Sequence, residues 1–215
     1  MKIEKFLRLI LIPFLTVKFL TIFSMLYAVG TLSMPKGLEK VFLGMGVHDL
    51  KAIKPNVKKD DFPYSPLYFE TDLSNEFFHF VSYEFSKDRL VEITLSKSSE
   101  KQDFISGLVR GATKKWGSQY LRKIGIIVNH PITRKTQLYP VIIWKKQEAT
   151  IVLSIIIATI DGHAMHDYQI TIMDPSLSPE NAPRIKFKEN ATQMEIEDLF
   201  NQYVTQDNPH SQVFD

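Results

Sequence analysis

The sequence predicts an α+β protein: antiparallel sheet with helices packed on one face, arranged as one sheet or as two helix-plus-sheet repeats, preceded by an N-terminal apolar helix. Three observations lead there. Residues 76–96 and 139–173 alternate side chains with the period of strands, and residues 104–116 repeat apolar side chains at helical spacing. Asp161-Gly162 is a two-residue hairpin signature between two β-rich runs.

The chain has 215 residues, 44% hydrophobic and 23% charged, with a formal charge of +2 and no cysteine. That length accommodates one domain, or two small ones, with a sizeable core. Without cysteine there is no disulfide, thiolate metal site, cysteine nucleophile or acylated cysteine. The basic excess is local. Residues 1–30 carry Lys2, Lys5, Arg8 and Lys18 against Glu4, leaving 22 basic and 23 acidic residues in the remainder. A nearly neutral body offers no electrostatic footprint for nucleic acid.

The N-terminus is apolar on all faces, and two readings stand. As a signal peptide, it has a positive region from Lys2 to Lys18 and an apolar run over Phe19–Val29, with cleavage after Gly30 at Ala28-Val29-Gly30. As an uncleaved anchor, residues 6–29 are long enough to cross a bilayer. Lys18 then costs roughly 2.5–3.5 kcal/mol, offset by the surrounding Leu, Ile, Phe and Val. Both readings make the membrane a partner and export the body, to the periplasm or outside the cell, free or held at the inner membrane.

Residues 38–204 form the expected α+β domain, with halves at 38–97 and 98–174 in the repeat arrangement. Val47–Lys54 reads as a short helix with Leu50 and Ile53 apolar, ended by Pro55; residues 55–66 are loop. Leu67–Leu73 is a weak strand. Residues 76–86 place Phe77, His79, Val81, Tyr83 and Phe85 on one face, and Phe78, Phe80, Ser82 and Glu84 on the other. The turn Ser86–Arg89 leads into a second strand bearing Val91, Ile93 and Leu95, making a hairpin. Ser99 and Gln102 form a capping box for a helix ending at Gly117.

Tyr139–Lys146, Thr150–Ile160 and His163–Met173 read as three strands. The Asp161-Gly162 turn sets Ile160 opposite His163 and Ile157 opposite His166. One face holds Ile151, Leu153, Ile155 and Ile157 with His166, Tyr168, Ile170 and Ile172, and is core. The other holds Val152, Ser154, Ile156 and Ala158 with His163, Met165, Asp167, Gln169 and Thr171, and is mixed. Thr192-Gln193-Met194-Glu195 is a capping box opening an amphipathic helix over 192–204. Residues 205–215 are expected to be disordered.

Signals for chemistry are sparse. Gly44-Met45-Gly46 lacks the third glycine of a dinucleotide fingerprint, and no phosphate loop, nucleophile elbow or zinc helix motif occurs. No cofactor is expected. Asp161, His163, His166 and Asp167 invite a metal reading, but positions three apart on a strand face opposite sides. No metal site is therefore expected. The catalytic candidates are His163 and His79 with a carboxylate such as Asp161 or Asp167. The binding candidates are the sheet-face aromatics Phe78 and Phe80, open to a partner or acyl chain unless helix 192–204 covers them.

GMGVHDLKAIKP, followed by YEF, a turn and LVEITL, resembles the SmpA/OmlA (BamE-like) envelope proteins, and the two-repeat layout resembles β-lactamase-inhibitor-like domains. The pattern spans residues 40–173; by motif it rests on Gly44, Met45, Asp49 and Leu50. The resemblance implies a non-catalytic, extracytoplasmic, protein-binding role. Lipid anchoring does not transfer, since there is no cysteine to acylate. The expectation is thus an exported, envelope-associated binding or scaffold protein with an unidentified protein partner. The alternative is a hydrolase built on His163 or His79.

Overall fold

The computed structural model describes residues 32–61, 67–71, 78–99, 104–127, 136–160, 163–176 and 186–204. The apolar segment 1–30, the turn Asp161-Gly162 and the tail 205–215 lie outside the described residues. Among those residues no helix is long and apolar enough to cross a membrane.

Alternating side chains drive the architecture, because a period of two gives each strand one face to bury. Nine strands result: β1 (Lys58–Lys59), β2 (Leu67–Glu70), β3 (Phe80–Ser86), β4 (Arg89–Ser99), β5 (Leu121–Ile127), β6 (Gln137–Lys145), β7 (Thr150–Ile160), β8 (His163–Met173) and β9 (Lys186–Phe187). They form one antiparallel sheet of order β1-β2-β3-β4-β8-β7-β6-β5-β9. Among the described residues three helices accompany it: α1 (Val47–Ile53), α2 (Phe104–Trp116) and α3 (Gln193–Val204).

The expected α+β class is overturned by this topology. Among the described residues a single nine-stranded antiparallel sheet dominates, and the helices are three short segments rather than a layer of comparable extent. Nor do two sheets form. β4 pairs with β8 from Glu92↔Met173 to Ser99↔His166, giving one continuous ladder. Both strands are eleven residues long, and leaving either edge open would expose a row of unpaired backbone groups. Ser99, expected to cap a helix, ends β4 instead.

One sheet face carries the helices. Val81, Tyr83, Ile93, Leu153, Ile155 and Ile170 are buried on it. Trp116 of α2 packs on Trp144 of β6 at 5.7 Å between ring centroids. Their indole N–H groups donate to the carbonyls of Ser33 and Gly117, at 3.0 and 2.8 Å. Gly117 can end α2 because it adopts φ 91°, a left-handed conformation that side chains disfavour. At the β2 end, Lys54 pairs with Glu70 at 3.6 Å and Lys51 sits over Tyr68. At the other end, Phe200 of α3 lies under the Arg122 guanidinium. α3 contacts β5, β6 and α2, rather than covering the aromatic strand β3 as expected.

Candidate ligand cleft on the open sheet face

The opposite face is built from the alternate residues of the same strands. Leu67 of β2 and Ile127 of β5 line one cavity of about 320 Å³. Six strand spacings separate them, about 29 Å on a flat sheet. One cavity can touch both only because the sheet rolls up, concave on this face. The described lining residues all come from strands.

The floor is polar. Ser82 of β3, Glu92, Thr94 and Ser96 of β4, Gln169 and Thr171 of β8, and Ser154 of β7 form it. The Thr94 hydroxyl donates to Glu92 Oε1 at 3.2 Å, and the Thr94 and Thr171 hydroxyls are 3.1 Å apart. Ser82, Glu92, Ser154 and Thr171 are all more than nine-tenths buried. Ser82 and Ser154 line the cavity, and their hydroxyls are not among the enclosed unpaired polar atoms, which among the described residues are Gln137 Oε1 and His166 Nδ1. A hydroxyl at a cavity wall can both donate to and accept from an occupant.

Apolar walls flank the floor. On one side Phe80 stacks on Phe69, with centroids 5.8 Å apart, and Leu67 extends that wall. On the other stand Ile127, Tyr139, Ile156 and Met173, continuous with the buried cluster of Val141, Ile143 and Val152. Burial of Tyr139 raises its hydroxyl pKa, keeping the ring neutral. No Lys, Arg or His is among the described lining residues. Just beyond the cavity, Asp167 accepts from Gln169 Nε2 at 3.2 Å and Ser98 Oγ at 3.5 Å. Desolvation nonetheless raises its pKa, with these hydrogen bonds opposing the shift.

The sequence candidates are dispersed. Phe80 lines the cleft, whereas Phe78 is 1% exposed and out of reach of a partner. His79 is exposed, its backbone N–H held by the Ser96 carbonyl, and it is not in the cleft wall. His163 opens β8 opposite Ile160; its side chain, like Asp161, lies outside the described residues. His166 is buried on the helix face beside Tyr168, with Asp167 on the other side of the strand. Among the described residues no three His, Asp or Glu side chains are grouped to hold a metal.

The mixed face expected on β7 and β8 supplies Ser154, Ile156, Gln169 and Thr171. The β4 hydroxyls and the β5–β6 wall were not expected at a site. Their only sequence signal is the small polar alternation Glu92, Thr94, Ser96 opposite the apolar Ile93 and Leu95. Comparison with family models, curated proteins and solved structures finds no match for this chain.

Proposed function

We propose that this protein is a non-catalytic binding protein, exported by its N-terminal segment, that takes its occupant into the cleft on the open sheet face. One observation carries the binding reading: a rolled sheet sets the Ser82, Ser154 and Thr171 side chains in the floor of a cavity between two apolar walls. Such a concavity, with convergent polar groups on an apolar frame, is the common form of a small-ligand site. Strand-borne side chains also hold the geometry rigidly. Catalysis has no comparable support: among the described lining residues there is no histidine to stand with a carboxylate.

Export rests on the basic, apolar stretch 1–30 followed by a nearly neutral body. Fractionation of the native host with mass spectrometry of the N-terminus tests it. A mature chain starting at Thr31, or an intact chain in the membrane fraction, supports export or anchoring. An intact chain in the cytosolic fraction refutes both. For binding, filling the cleft with Ser154→Phe should abolish ligand uptake while leaving the helix face intact.

A further inference from the structure

We infer that the occupant of this cleft is a small uncharged carbohydrate, mono- or disaccharide in size, an assignment that rests on the binding reading above. The cavity of about 320 Å³ lies at the low end of the range for small-ligand pockets, roughly 300–1,000 Å³. Its lining selects by chemistry. An anion meets Glu92 and no described basic side chain in the wall. An acyl chain would cover the hydroxyls of Ser82 and Ser154 without donating to or accepting from them. An extended peptide pairs with strand edges, and a sheet face presents no such edge.

A sugar ring satisfies the whole surface. Its hydroxyls both donate and accept, as do those of Ser82, Ser154 and Thr171, while Gln169 and Glu92 extend the polar floor. Its C–H faces are apolar and rigid, matching the Phe80 and Tyr139 rings in the two walls. The Phe69–Phe80 stack fixes one of those rings in place.

The test is saturation-transfer NMR on the full chain. The sugar probes are glucose, galactose, mannose, N-acetylglucosamine, maltose and trehalose; decanoate and spermidine serve as contrasting probes. Transfer to the ring C–H protons of at least one sugar is expected, with binding weakened tenfold or more in both T94V/T171V and F80A. The valine pair removes the Thr94–Thr171 hydroxyl contact at nearly constant shape and also the Thr94 donation to Glu92, so it is first checked for a native melt. Should that pair not fold, Ser82→Ala takes its place, with the same tenfold loss expected. Sugar binding unchanged in these variants would place the sugar elsewhere and overturn the assignment. Decanoate or spermidine receiving saturation from the cleft while no sugar does would overturn the ligand class and leave the binding reading intact. No transfer to any probe would overturn both.

Discussion

The ring of Tyr139 lies directly on the bare α-carbon of Gly125, its partner across the β5–β6 ladder. A Cβ built on Gly125 would come within 2.2 Å of the Tyr139 ring. The glycine is therefore the reason this wall of the cleft can be aromatic. Gly125→Ala should destabilise the protein by about 1–3 kcal/mol through overpacking, read by urea unfolding. In a Tyr139→Ala background the same substitution should cost much less, since the clash is gone.

Tyr83 and Glu70 form a second such pair. The buried Tyr83 hydroxyl donates to Glu70 Oε1 at 2.6 Å, and Lys54 approaches the same oxygen at 3.6 Å. Burial, then the Glu70 hydrogen bond and charge, raise the Tyr83 pKa far above its ordinary value. A raised folded pKa contributes stability below the unfolded value near 10 that is lost as pH climbs above it. Tyr83→Phe should cost about 1–3 kcal/mol at neutral pH, and its stability should fall less steeply than wild type in alkali. Chemical unfolding at pH 7 and above pH 10 checks both.

Asp167 should behave in the opposite sense to a stabilising carboxylate. Desolvation raises its pKa, so its ionised form is disfavoured in the fold. The associated stability is present below the unfolded value of 3.8 and is lost as pH rises through the higher folded value. Asp167→Asn should therefore gain relative to wild type between acidic and neutral pH. Thermal melts across pH 3–7 would show the two curves diverging as pH rises.

At α3 the capping box is explicit. Glu195 N–H is held by Thr192 Oγ1 at 3.3 Å, and Thr192 N–H by Glu195 Oε2 at 2.9 Å. Lys188, then these Thr192 contacts, lower the Glu195 pKa to about 2. That contribution is present above the ordinary value of 4.5 and is lost as pH falls toward 2. Thr192→Ala should cost about 0.5–2 kcal/mol. Glu195→Gln should weaken the helix at neutral pH and match wild type near pH 2, as read by circular dichroism.

Local chemistry made several of these features readable. Asp161-Gly162 fixes a hairpin register, and the ladder indeed sets Ile160 opposite His163 and Ile157 opposite His166. Thr192 and Glu195 sit at capping spacing, and α3 follows them. β5 gives no strand signal because LRKIGII breaks alternation with Arg122-Lys123 and Gly125, a glycine needed for the Tyr139 ring rather than for a turn. The single sheet has a non-local origin. The Glu92↔Met173 seam joins residues 81 positions apart, and no periodicity within either strand reports its partner. The cleft depends on that seam and on the roll of the sheet, so Thr94 and Thr171 met only in three dimensions.

Ligand uptake at the open sheet face decides the proposed function. Its most direct measurement is equilibrium dialysis of the purified full chain against a small-molecule extract of the host, comparing wild type with the cleft-filled Ser154→Phe and with Gln169→Leu, each checked for a native melt. A compound enriched by the wild-type protein and by neither variant is expected. Equal enrichment by all three, or none by any, would contradict it.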